Sequence, residues 1–358
     1  MIRTALVFVC VLFISCAPDR AKVSHEEAIA AAKKLEDYVK GGNVDGLAAF
    51  IDLPSFYSTL TTKSRVAKDP TLMKGFKSTF SMKAFAQKTI EGARQGSFLL
   101  LRQYEKDGRQ RLLFRLMTAT GITYQDYPLI KINNTIKADD VFSYTNGEDM
   151  TTTLADAIDV MVPEGDLETG AKRADSLVRL KKLQERGDNQ GIKDLYERLP
   201  VSMQETKGFL ILYMEACKNT DRAAYKAAVE RLSTLFPQIP SAYLLLIDIS
   251  TEAKDYKKAL FAIDKINEII GAGGDPYLDF FKGNIHNMMG KPAEAKAYFE
   301  KLYAFDPELR SNLGALITAY VTSNEIDKAK KLVDTYKTSK IFNQAELDLV
   351  YENYPVLK

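Results

Sequence analysis

The chain has 358 residues, 46% of them hydrophobic, which suits about two domains with cores of ordinary size. Its 49 basic and 47 acidic side chains leave a formal net charge of +2, so nothing attracts a polyanion, and nucleic-acid binding, which needs a basic face, is not expected. Three cysteines, Cys10, Cys16 and Cys217, make no disulfide framework, so the fold has to rest on its core.

The chain opens with Arg3 and then an unbroken apolar run, Ala5 to Ile14, followed by Ser15 and Cys16. A helix crossing the hydrocarbon needs about 20 such residues, so this shorter run reads as a cleaved export leader. The ending Leu12-Phe13-Ile14-Ser15-Cys16 resembles the lipobox of bacterial lipoproteins. That resemblance implies removal of residues 1–15, lipidation of Cys16, a tether over 16–23, and a mature protein anchored to a membrane of the bacterial cell envelope, the outer membrane first. Cys10 leaves with the leader. Cys217 then has no partner, and its setting in Leu210-Ile-Leu-Tyr-Met-Glu-Ala-Cys217 reads as a small buried hydrophobe.

Residues 24–163 mix helix and strand. Ser24-His-Glu-Glu27 has the spacing of a capping box, and Ala28, Ala31, Ala32, Leu35, Tyr38 and Val39 follow at helical spacing until Gly41-Gly42. A short helix from Asp45 is expected to stop at Pro54, and a further helical pattern runs from Leu72 to Ile90 with Phe76, Phe80 and Phe85 inward. From Ser97 the period shifts toward two. Asp107-Gly108 between two apolar runs predicts a hairpin, with further strands over Ile122–Ile132 and Thr135–Tyr144. A closing helix, Met150–Met161, should turn Leu154, Ala157, Ile158 and Met161 inward. Helices followed by antiparallel strands predict an α+β domain with helices on one face of a curved sheet. This order, with the Val44-Asp45-Gly46 turn and Tyr144-Thr-Asn-Gly-Glu148, resembles the nuclear-transport-factor-like cone fold, which implies an open mouth that binds a small ligand, carries acid–base chemistry or only contacts protein.

Pro163 to Gly170 reads as the boundary, with 164–170 as linker. Residues 171–358 repeat. Lys226-Ala-Ala-Val-Glu-Arg-Leu-Ser-Thr-Leu-Phe-Pro237 matches Lys296-Ala-Tyr-Phe-Glu-Lys-Leu-Tyr-Ala-Phe-Asp-Pro307, and Ala259, Ala295 and Ala329 mark a period of about 34 to 36. The unit from Tyr277 to Pro307 carries Gly283, Gly290, Ala295, Phe299 and Pro307, and resembles the tetratricopeptide repeat. The resemblance implies an all-α solenoid of helical hairpins, begun by the pairs Ser176–Glu185 and Gln190–Leu199 and capped by Gln344–Tyr351. It also implies a groove along the first helices that binds a protein or peptide, lined by Leu210, Met214, Leu244, Asp248, Tyr277, Phe280, Asn284, Asn287 and Thr318. Grooves that clamp a C-terminal carboxylate are rich in Lys and Arg, and this one is not.

Catalytic signals are absent. The two histidines, His25 and His286, lie far apart in sequence, and no metal, nucleotide or nucleophile motif occurs, so neither a cofactor nor a metal is expected and the chain reads as a binding module, not an enzyme. His25 should be solvated, and His286 should fill a hairpin. The alternative is a small-molecule site or acid–base centre in the first domain's mouth, with Tyr124, Asp126, Asp139 and Tyr144 as its residues. Asp139 and Asp140 point to opposite faces if extended, so they read as a solvated strand end.

Overall fold

The computed structural model describes residues 22–118, 121–160 and 167–358. The leader, Cys16, Met161 and linker residues 164–166 lie outside them. Contacts divide the chain into two compact units. The first runs to Ser143 and resumes over Glu148–Asp159; the second takes Tyr144–Gly147 and everything from Val160.

The first unit begins with α1, His25–Lys40, and the capping box is formed: the Ser24 hydroxyl accepts from the Glu27 amide at 3.2 Å, and the Glu27 carboxylate accepts from the Ser24 amide at 2.9 Å. α2, Val44–Phe50, follows. Pro54 begins a helix instead of ending one: α3, Leu53–Lys63, has Pro in its first turn, where its missing N–H costs nothing, and Asp52 caps it by accepting from the Ser55 amide at 3.0 Å. The expected helix from Leu72 to Ile90 is two, α4 over Pro70–Thr79 and α5 over Met82–Arg94, because Ser81 leaves helical geometry to cap Ala84. Met73, Met82, Ala86, Thr89 and Ile90 are the buried residues there, and Phe76, Phe80 and Phe85 are half-buried.

Strands β1, Ser97–Lys106, and β2, Arg109–Thr118, are joined by Asp107-Gly108, both at positive φ (54° and 72°) as a mirror-image turn requires. β3, Gly121–Ile132, pairs with β2 along its first part and with β4, Thr135–Ala138, along its second. The expected strand Thr135–Tyr144 is broken: after Ala138 the chain leaves the ladder and returns as β5, Phe142–Ser143, which pairs with β6, Glu148–Asp149. The resulting order is β1-β2-β3-β5-β6, all antiparallel. Leu112, Phe114, Tyr127 and Leu129 turn one face of this sheet onto Leu35, Phe50, Phe56 and Ile90 of the helices. The closing helix α6, Met150–Val160, buries Thr151 and Ala155, and Ala157, expected inward, is exposed.

The second unit is helical. α7, Leu167–Glu185, opens inside the expected linker and pairs with α8, Asn189–Glu197; a short α9, Val201–Gln204, precedes the rest. Then come hairpins of α10, Lys207–Cys217, with α11, Arg222–Leu235; α12, Pro240–Glu252, with α13, Tyr256–Ile270; α14, Leu278–Met288, with α15, Pro292–Phe305; and α16, Arg310–Thr322, with α17, Ile326–Lys337. α11 packs on α12, α13 on α14 and α15 on α16, so each hairpin is stacked on the next. α18, Gln344–Asn353, and a 3-10 turn over Pro355–Leu357 close the array.

The repetition extends to backbone detail. Gly187, Lys254, Gly290 and Asn324 each take positive φ one residue before a second helix starts its cap. Asp188, Asp221 and Asp255 cap second helices by accepting the amides of Gly191, Ala224 and Lys258 at 2.8, 3.0 and 3.0 Å. The two features coincide before α8 and α13; α15 and α17 keep the positive φ without a side-chain cap, and α11 keeps the aspartate cap alone.

Candidate functional site

The first helices of the hairpins present a strip of side chains that stand half-buried or exposed beside the core. At the start of α14, Tyr277, just before the helix, and Phe280 are half-buried with ring centroids 6.0 Å apart; further along, Asn284 is half-buried, and Asn287 and Met288 are exposed. Gly283 explains why this helix sits so close to its partner: a Cβ there would lie 2.4 Å from Cε1 of the fully buried Phe299 on α15. On α12, Leu244 is half-buried, and Asp248 is exposed on a crowded surface where desolvation pushes its carboxyl up, against the pull of Arg222 and Lys218. Tyr277, Phe280, Asn284 and Asn287 thus share one helix face, with spacing of three to four residues.

The expected strip fails at both ends. Leu210 and Met214 are buried, because α10 is packed by α8 and α9 as well as by α11, so its inward face is core. Thr318 on α16 is half-buried, with its hydroxyl 2.8 Å from that of Tyr354 in the closing segment. Sequence reasoning missed Met288, 55% exposed, and Ser311 and Gly314 on α16, which face out between Arg310 and Thr318. The same carry-over that placed Tyr277 and Phe280 would have found Ser311 and Gly314, each 34 residues further on.

In the first unit the proposed mouth residues do not form one cluster. Tyr124 and Asp126 lie two apart on β3, on the sheet face away from Tyr127, and both are buried. Asp126 accepts from the Tyr104 hydroxyl and from Arg111 Nε at 2.9 Å. Burial pushes the Asp126 carboxyl up, while Arg111 and Tyr104 pull it down. Its other oxygen, Oδ1, is buried with no hydrogen-bond partner among the described residues. The partners were legible: a two-residue turn at Asp107-Gly108 pairs Lys106 with Arg109 and hence Tyr104 with Arg111.

Asp139 and Asp140 are not a solvated strand end. Asp139 is buried and bonded to Arg109 Nη2 at 2.6 Å, and Asp140 is buried where it accepts from Val141 and Thr151 amides and the Thr151 hydroxyl. Asp140 therefore caps α6, and Asp139 pairs with an arginine at the start of β2; the two carboxylates have separate partners. Tyr144 is buried and belongs by its contacts to the second unit. His25 is exposed, and His286 is half-buried against the Tyr298 ring, 5.2 Å between centroids. Among the described residues no group of three or more acidic, histidine or cysteine side chains could hold a metal ion. Cys217 is fully buried, and burial pushes its thiol up, away from reactivity.

No family model matches the chain, and no curated protein does. Among solved structures, two of the protein MamA are similar at 15% and 16% identity, with TM-scores of 0.38 and 0.37; they cover 44% and 43% of this chain and 86% and 89% of their own. TTC0263, a thermophilic tetratricopeptide-repeat protein of Thermus thermophilus, is similar at 14% identity over 51% of this chain and 97% of its own, with a TM-score of 0.33.

Proposed function

We propose that this chain is a lipid-anchored protein of the bacterial cell envelope that holds a protein or peptide partner on the first helices of its helical repeats, as a non-catalytic adaptor of the tetratricopeptide type. The observation that carries the partner reading is the α14 strip, where Tyr277, Phe280, Asn284, Asn287 and Met288 stand half-buried or exposed on one face. Aromatic and thioether surface gives contact area, and paired amides can donate to and accept from an extended backbone. The absence of Lys and Arg from these places argues against a carboxylate ligand and for an uncharged stretch of polypeptide.

A photo-crosslinking residue placed at Asn287 should capture a polypeptide partner in the native envelope, and one at Phe261, 50% exposed on the second-helix layer, should not. Equal labelling at both would remove the reading. The anchor rests on the lipobox-like ending at Cys16. No helix among the described residues is long and apolar enough to cross a membrane. Cys16→Ser is expected to move the protein from the membrane fraction to the soluble fraction of a cell lysate, and retention on the membrane would count against lipidation.

A second reading, a small polar ligand on the far face of the first unit's sheet, is favoured by one observation, the unsatisfied buried Oδ1 of Asp126. A buried acceptor without a donor costs about 1–3 kcal/mol, which a ligand N–H or O–H would recover.

A further inference from the structure

The last hairpin carries a hole where its neighbour carries a ring. At an offset of 34, Ala295 matches Ala329, Phe299 matches Val333 and Gly283 matches Ile317, which sets Phe280 against Gly314. Phe280, on α14, is half-buried against the core cluster that includes Leu313 and Leu316 of α16, with its ring centroid 6.1 Å from that of Phe299. At the matching place on α16, opposite α18, Gly314 has no side chain to offer. A Cβ built on it meets nothing within 4 Å. The result is a cleft of about 330 Å³ lined mostly by apolar groups, with Leu313, Gly314 and Ile317 on one side and Leu349 and Val350 on the other. Arg310 and Glu346 pair with each other at the rim, so no net charge is offered to an occupant.

We propose that this cleft is a subsite for an aromatic side chain of the bound polypeptide, seated as Phe280 is seated one repeat earlier. The inference rests on the partner reading above, since Gly314 lies on the same strip as Phe280, and Ser311 and Thr318 match Tyr277 and Asn284 at the same offset. Two observations select the occupant. The protein's own residue at the equivalent position is a phenylalanine, and the cleft, lined mostly by apolar groups that include the Tyr336 ring, is of a size that holds small ligands, above about 300 Å³. Leu349, 57% exposed at the mouth, would be covered when the ring enters.

The chain contains no tryptophan, so an indole probe is seen in fluorescence without an indole background. N-acetyl-tryptophanamide titrated against the full chain should bind saturably in the millimolar range with a blue-shifted emission. In Gly314→Phe the protein's own ring should occupy the cleft, weakening binding at least tenfold and raising the melting temperature. Leu349→Asp, a change at an exposed position, should also weaken binding at least tenfold and covers the case in which Gly314→Phe fails to fold. Undiminished binding in a folded Gly314→Phe or Leu349→Asp, or no saturable binding, would overturn the proposal. So would a wild-type dimer that Gly314→Phe dissociates, since the guest would then be a second copy. The two readings fail separately: a crosslink at Asn287 without amide binding overturns the cleft alone, whereas amide binding without that crosslink removes the polypeptide as occupant.

Discussion

Phe299→Ala is expected to be among the most destabilising single changes in the repeat unit, by about 3–5 kcal/mol, the usual cost of emptying a fully buried phenylalanine site. Phe299 is 0% exposed, sits against Gly283 and Phe280, and joins α14, α15 and α16 in one cluster. Stacked hairpins are held by contacts between neighbours, so loss at one seam uncouples the units on either side. Chemical denaturation should therefore show a lowered midpoint together with a broader or split transition. The close approach of Gly283 gives a sharper test. Alone, Gly283→Ala should cost about 1–3 kcal/mol, because its Cβ falls 2.4 Å from a buried ring. In the Phe299→Ala background the same change meets no ring, and the better helix propensity of alanine, about 1 kcal/mol, should make it neutral or favourable. A double-mutant cycle measures this coupling. Additive costs would mean that the ring and the glycine do not meet as described.

The features legible from the sequence were those whose cause is local. Ser24 and Glu27 announced their reciprocal cap, Asp107-Gly108 its hairpin, and Ala259, Ala295 and Ala329 the hairpin period, because each rule spans a few residues or one repeat. What escaped depended on partners distant in sequence. Asp139 and Asp140 looked like exposed strand-end carboxylates, yet Arg109, 30 residues earlier, and Thr151, 11 later, bury them. The missing helix α3 hid behind Pro54, which is a stop signal or a first-turn residue depending on whether Asp52 turns to cap. The β-bulge between Leu100 and Arg102 shifts the register of β1 beyond the turn-proximal half, so that Phe98 and Leu100 join Phe114 on the core face instead of sharing a face with Arg102 and Tyr104. Along the first helices, the positions carried over from the repeat are half-buried or exposed at Tyr277, Phe280, Asn284 and Asn287, inside the array. Leu210 and Met214 are instead buried where α8 and α9 pack on α10, and Thr318 is tied to Tyr354 of the closing segment.

Asp126→Ala is expected to destabilise the first unit by about 3–5 kcal/mol, the range for removing one member of a buried charged pair. The cost is that of the groups left behind. Arg111 Nε and the Tyr104 hydroxyl both donate to Asp126, at a site where the carboxylate is almost fully buried. Asp126→Asn should behave differently. Burial raises the carboxyl's pKa in the fold in spite of Arg111 and Tyr104, so the ionised form is less at home there than in the unfolded chain, and a neutral acceptor of the same shape should cost under about 1.5 kcal/mol at neutral pH. The pH dependence follows from the same shift. Because the folded pKa lies above the unfolded one, the folded state holds the proton more tightly, and the stability this gives is fully present below the ordinary carboxylate range and is lost as pH rises through the raised value. The asparagine variant has no such titration, so its deficit relative to wild type should be largest in acid and shrink toward neutrality. Urea melts of both variants across that range measure it. An alanine variant within about 1 kcal/mol of wild type would show that Tyr104, Asp126 and Arg111 do not hold the sheet together, and the ligand reading of that cluster would then take precedence over a structural one.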